Sequence, residues 1–145
     1  MKTPLGFSYA GVNAGIKSVR KDMALVYSEA PCNAAGCFTV NKAKAAPVRD
    51  AEVRLPGQGM RAIVVNSGNA NALTGAQGEA DVQSVHRAAA AALGIDASQV
   101  LSASTGVIGV PLRSGSSRPG ARRWRRRARA RSRRRPRRSS RPIRG

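Results

Sequence analysis

The chain has 145 residues and a formal net charge of +19, a length that suits one domain with an appendage rather than two domains. The charge is uneven: residues 1–112 carry ten Lys and Arg against seven Asp and Glu, whereas residues 113–145 carry sixteen Arg and neither Lys nor acid. No apolar run is long enough to span a bilayer, and the first seventeen residues lack the apolar core of a secretory signal, so a cytoplasmic product is expected.

In chain order, Gly6, Gly11 and Gly15 interrupt any period, and residues 1–19 read as irregular. Met23-Ala24-Leu25-Val26-Tyr27 reads as a strand, closed by the break Glu29-Ala30-Pro31. Cys32 and Cys37 read as small residues packed near a turn in a reducing compartment, although a disulfide is possible in principle. With His86 the only histidine and no second Cys pair, a metal site is not expected. Residues 36–40 read as a second strand with Phe38 and Val40 on one face. A short helix follows Pro47, which suits a first helical turn, and residues 55–59 read as a turn.

Ala62-Ile63-Val64-Val65 reads as a buried strand that empties into a polar loop over residues 66–75. A helix over residues 79–93 places Val82, Val85, Ala89 and Leu93 on one face, and Gly94 supplies its stop. The alanines at 88–92 suggest close packing of that helix on a sheet, and His86 reads as a surface residue of it. Residues 99–103 read as another strand, ending in Ser104-Thr105-Gly106-Val107-Ile108-Gly109. The order strand, strand, helix, strand, helix, strand argues for a layered α/β fold. If the last two strands are parallel neighbours, both polar loops open at one edge of the sheet, where open α/β folds place their sites.

Thr105-Gly106 has the residue types an oxyanion site needs. Gly permits close backbone approach and unusual φ, and the Thr hydroxyl can donate to a developing negative charge. Ser-Thr-Gly is equally at home in a plain turn. Asn66, Asn69 and Asn71 read first as capping and turn residues.

Several blocks together resemble the ornithine acetyltransferases, the bifunctional glutamate N-acetyltransferases of arginine biosynthesis. They are Gly15-Ile16-Lys17, Arg20-Lys21-Asp22-Met23-Ala24-Leu25, Phe38-Thr39-Val40-Asn41-Lys42-Ala43-Lys44-Ala45-Ala46-Pro47-Val48, Ala62 through Ala72 with Thr74-Gly75, and Ala103 through Gly109. They occur in family order across residues 5–112. The resemblance implies the N-terminal part of an α+β layered sandwich and an acyltransferase that cuts itself at an Ala-Thr bond. In that family the new N-terminal Thr attacks the acetyl donor and passes the acetyl group to glutamate. It also implies that Thr105 and Gly106 form the oxyanion hole. N-acetylornithine, glutamate and acetyl-CoA are the implied small-molecule partners, with a heterotetramer of two cut protomers, no membrane and no cofactor. Leu73 stands where many members carry Cys. The likeness stops at Leu112, so the nucleophile and the substrate-contacting residues are expected beyond it, with none in this chain, and the chain alone is expected to be inactive.

Residues 113–145 form an Arg-rich stretch of Arg, Ser, Gly, Pro and Ala with single Trp and Ile residues, a composition that cannot bury enough surface to fold alone and reads as disordered. Two accounts stand. One is a nucleic-acid-binding arm that engages phosphates through charge, which would make the chain a small basic nucleic-acid-binding protein. The other is translation in a shifted frame: Arg, Gly, Pro and Ala all have GC-rich codons, and selection for charge alone would not exclude every Lys. On that account nucleic acid binds only non-specifically.

Overall fold

A computed structural model describes residues 4–112. Among these lie four strands, β1 (Phe7–Val12), β2 (Met23–Ala34), β3 (Gly57–Asn69) and β4 (Val100–Val107), and two helices, α1 (Ala46–Arg54) and α2 (Gly75–Leu93). A single 3-10 turn, Ala97–Gln99, precedes β4. The strands form one sheet in the order β1-β2-β3-β4, antiparallel except for the parallel pair β3/β4. This is an α/β fold, and the crossover through α2 is what brings β3 and β4 side by side.

The register sorts side chains into rows across the sheet. Ala10, Leu25, Val64 and Ser102 form one row, and Tyr9, Val26, Ile63 and Leu101 form the next. Because strand side chains alternate, the two rows face opposite ways. The first faces α2, where Leu25, Val64 and Val100 join Val85, Ala89 and Ala90 in the core. Ala89 has no exposed surface, so the alanine run does let α2 lie close on the sheet. Gly94 ends α2 in the left-handed region at φ 72°, its N–H bonding Ala90 O at 2.8 Å. The opposite face is covered only in part: Leu101 is buried, whereas Phe7, Tyr9 and Ile63 are about two-fifths exposed (38%, 42% and 41%).

The expected string of strands and helices recurs only because one unexpected strand offsets an expected one that does not form. Residues 7–12, read as irregular, form β1: Gly6 before it and Gly11 within it hide a Phe7-Tyr9 alternation that suffices for an edge strand. Residues 36–40 form no strand. Their backbone is drawn into local turns instead, with Asn41 N bonding Thr39 Oγ1 at 3.2 Å and Ala43 N bonding Asn41 Oδ1 at 2.8 Å. Val40 is correspondingly 97% exposed.

β2 does not stop at Pro31. Its ladder with β3 is interrupted between Tyr27 and Cys32 and then resumes. Arg61 spans the gap, donating to Ser28 O at 3.2 Å and Glu29 O at 2.6 Å while its guanidinium lies over the Tyr27 ring. The expected turn at 55–59 is shorter, since β3 starts at Gly57 after a cis Leu55–Pro56 bond. Strands β3 and β4 also continue into both polar loops, so Asn66–Asn69 and Ser104–Val107 are paired backbone. Cys32 is half-buried and Cys37 exposed, and both are free thiols. No helix among the described residues is long and apolar enough to cross a membrane. The proposed tail, 113–145, lies outside the described residues.

Candidate oxyanion site at the end of the parallel strand pair

Thr105 and Gly106 lie on β4 directly opposite Ser67 and Gly68 of β3. Gly106 has φ +135° and Gly68 has φ +121°, so both strands adopt backbone that L side chains rarely take. A Cβ on Gly106 would fall 2.3 Å from the Gly68 carbonyl carbon and 2.5 Å from Asn69 N. Glycine at 106 is therefore demanded by the approach of β3. Thr105 shares a face with Ala103 and Leu101, opposite the face that packs on α2. It is exposed, and among the described residues its hydroxyl makes no hydrogen bond.

The three asparagines hold this corner in place. Asn66 Nδ2 donates to Asn69 O at 2.7 Å, Asn69 Nδ2 to Val110 O at 2.8 Å, and Asn71 Nδ2 to Gly78 O at 2.8 Å. All three are buried, and they stitch β3, the β4 exit and α2 together. Two backbone bonds complete the brace, Ala70 N to Val107 O and Gly109 N to Ala72 O, each 2.9 Å. Leu73, at φ 56°, is 70% exposed on the outside of the same loop.

Residues 13–21 form a loop, mostly within the stretch that reads as irregular, but its contacts are not marked in the sequence pattern. The buried Asp22 carboxylate accepts the backbone N–H groups of Ala14 at 2.6 Å, Ile16 at 2.7 Å and Lys17 at 2.8 Å. Asn13 Nδ2 donates to Lys17 O and Arg20 O. Asp22 also takes Ser67 N through its own carbonyl at 2.8 Å. The loop so fixed aims Lys17 Nζ at Ser67 Oγ, 2.7 Å away. A cavity of about 410 Å³ opens beside it, lined by Gly15, Ile16, Gly68, Asn69, Val107 and Leu112 among others. Fifty residues separate Lys17 from Ser67, and no local pattern signals such a contact.

His86 is corrected from a surface residue to a buried one, 1% exposed. Nε2 lies 3.0 Å from Ser102 Oγ and 4.0 Å from Asp50 Oδ2, and Nδ1 lies 3.5 Å from Arg54 Nη1. Arginine has no acceptor, so Nδ1 faces it as the lone-pair nitrogen and Nε2–H donates to Ser102. A Ser, a His and an Asp thus meet without forming a triad, because the carboxylate does not hold the nitrogen opposite the serine. The cluster instead ties α1 to α2 and β4: Arg54 bonds Asp50 Oδ2 at 2.9 Å and Ser98 O, and Gln83 bonds Asp50 Oδ1 at 3.0 Å.

Burial pushes the His86 pKa below its usual value; Asp50 opposes that shift and Arg54 adds to it. Below the ordinary histidine value of 6.5 the unfolded chain takes up a proton that the folded chain refuses. Stability is therefore complete above that pH, falls below it, and levels off under the folded-state value. Thermal melts at pH 7.5 and pH 5.5 should show the loss in the parent protein and a smaller one in His86→Gln, which cannot titrate. Equal losses in both would remove His86 as the cause.

The sequence profile of the ArgJ family matches residues 8–135, and so runs past Leu112 into the arginine-rich stretch. The arginine biosynthesis bifunctional protein ArgJ of Thermotoga neapolitana is 52% identical over 115 residues, which cover 77% of this chain and 29% of that protein. The protein of the same name from Caldanaerobacter subterraneus is 50% identical over 113 residues, 77% of this chain and 28% of that one. The chain thus spans under a third of the length of these relatives. Among solved structures, the ornithine acetyltransferase of Mycobacterium tuberculosis complexed with ornithine superposes with a TM-score of 0.76 at 45% identity, covering 81% of this chain and 65% of that one. The ArgJ protein of Bacillus halodurans gives a TM-score of 0.75 at 36% identity over 81% of this chain and 62% of its own.

Proposed function

The chain belongs to the ArgJ family, and from that membership we propose that residues 1–112 are the N-terminal part of an acyltransferase. It moves an acetyl group from N-acetylornithine, or from acetyl-CoA, to glutamate through an acetyl-Thr intermediate, and the nucleophilic Thr lies beyond this chain. Thr105 and Gly106 are its oxyanion hole. The observation that carries this assignment is the Thr105–Gly106 segment itself: an exposed hydroxyl with no partner among the described residues, next to a glycine whose Cβ position is occupied by the β3 backbone. Donors fixed before reaction act where charge develops without having to reorganise.

The intact enzyme is a heterotetramer of two cleaved protomers in the cytoplasm, and acyl transfer through a Thr hydroxyl requires neither metal nor organic cofactor. The partly exposed apolar face of the sheet is where the remainder of the enzyme packs. Residues 113–145 are a separate, non-catalytic stretch whose composition supports a change of reading frame, although the family profile reaches residue 135, and their charge holds nucleic acid only non-specifically.

The test is the DNA that follows the Leu112 codon, read in the other two frames. A continuation that encodes an Ala-Thr site and a further acyltransferase segment is expected. Absence of such a continuation in every frame would remove the support for a missing catalytic half. It would favour a basic nucleic-acid-binding protein built on an α/β scaffold.

A further inference from the structure

Two hydroxyls, not one, stand at the end of the parallel strand pair. Ser67 is paired with Thr105 across β3 and β4, so both side chains leave the same face of the sheet. Ser67 Oγ accepts from Lys17 Nζ at 2.7 Å. An oxygen that accepts from an ammonium still has its own O–H to donate, and among the described residues that proton has no acceptor. The ammonium polarises the hydroxyl and makes it the stronger donor.

The placement of Lys17 is built, not incidental. Three backbone N–H groups of its loop converge on the buried Asp22 carboxylate, and Lys17 N is one of them. Asp22 O fixes the Ser67 backbone while Lys17 fixes the Ser67 side chain, so one loop grips Ser67 at both ends. The lysine stem lies along Gly68, where an added Cβ would come within 3.4 Å of Lys17 Cγ and Cε. Such an arrangement restricts a side chain that is otherwise rich in rotamers. An ammonium held against one serine at the mouth of the candidate site has an electrostatic consequence that a solvated surface lysine lacks.

We infer that Lys17 and Ser67 extend the oxyanion site: Ser67 donates to the developing oxyanion beside Thr105, and Lys17 is the positioning residue that orients and polarises Ser67. This rests on the acyltransferase reading above. When the nucleophile adds to the acetyl carbonyl, the C=O π pair moves onto oxygen, and that oxygen takes the Thr105 and Ser67 hydrogen bonds. The pair returns as the C–N bond breaks, and the proton lost by the nucleophile leaves on the departing amine. Lys17 stays charged throughout and exchanges no proton.

The test uses a complete enzyme in which residues 4–112 of this chain replace the matching segment of the Thermotoga neapolitana relative. Ser67→Ala is expected to lower kcat on the order of a hundredfold with KM little changed, as loss of one oxyanion donor does. Lys17→Met, which keeps the stem and so the packing on Gly68, is expected to lower kcat roughly tenfold, and Lys17→Arg to restore most of it. Because Lys17 acts through Ser67, adding Lys17→Met to Ser67→Ala should lower kcat by less than twofold more.

Circular dichroism and melting temperature separate a misfolded variant from a slow one, and the Met and Arg variants cover the case in which Ser67→Ala fails to fold. Parent-like kcat in Lys17→Met, or a full additional tenfold loss in the double variant, would overturn the relay. A rise in KM with kcat unchanged would make both residues substrate-binding groups and overturn it as well. A folded parent enzyme that transfers no acetyl group would instead overturn the proposed function, and this assignment with it.

Discussion

Purified as it stands, the 145-residue chain is expected to form no acetylglutamate from N-acetylornithine and glutamate above the uncatalysed background. Removal of the covalent nucleophile from an acyl-transfer enzyme lowers turnover about a millionfold. What survives in such variants comes from oxyanion donors and substrate binding that remain in place. Here the oxyanion donors proposed at Thr105, Gly106 and Ser67 are present, but the cavity beside them is walled on one side by Val107, Val110, Pro111 and Leu112, and the shared segment is under a third of the relatives' length. An oxyanion hole with no nucleophile opposite it has no charge to stabilise. The measurement is a discontinuous assay for acetylglutamate over hours at high protein concentration, with a complete relative as the positive control. Turnover within tenfold of that control would show that the nucleophile lies within this chain and that the division of labour proposed above is wrong.

How far the sequence carried this reading depended on whether the governing interaction was local. The helix α2, its Gly94 stop and its alanine-rich inner face were legible because period, cap and packing all lie within a stretch of about twenty residues. The parallel pairing of β3 and β4 was inferable from the strand–helix–strand order, and the register then set Thr105 beside Ser67. Residues 36–40 misled because Phe38 and Val40 satisfy a strand alternation that no neighbouring strand is there to use. His86 misled for the opposite reason. Flanked by Val85 and Arg87, it reads as a surface residue, yet it meets a trio of partners from α1 and β4, Asp50, Arg54 and Ser102. Lys17 and Ser67 belong to the same class of long-range contact. Asp22 could have been suspected, since an acid just before an apolar strand needs donors, and the glycine-rich loop ahead of it has free N–H groups to give.

In the complete enzyme Thr105→Ala is expected to lower kcat a hundredfold to a thousandfold, about 2.7–4 kcal/mol of transition-state stabilisation. The substitution removes a hydroxyl that has no partner among the described residues, so the folded protein gives up no internal hydrogen bond. Thr105 is exposed among the described residues and is proposed to face the site rather than the packed remainder of the enzyme, so the melting temperature should move little. The hydroxyl meets full negative charge only as the tetrahedral intermediate forms, so the loss belongs in kcat, with KM nearly constant. Self-cleavage at the Ala-Thr bond should slow in parallel, because it too places negative charge on a carbonyl oxygen. Gly106→Val should be more severe. Its Cβ would fall on the Gly68 backbone and Asn69 N, at a φ of +135° that valine cannot adopt without strain. β3 and β4 would be forced apart at the point where the two hydroxyls stand together. Gly106→Val therefore loses stability and turnover together, whereas Thr105→Ala loses turnover alone, and the contrast separates a chemical role from a structural one. Should Thr105→Ala lower the melting temperature and leave kcat intact, Thr105 would be a turn residue and the oxyanion assignment would fall.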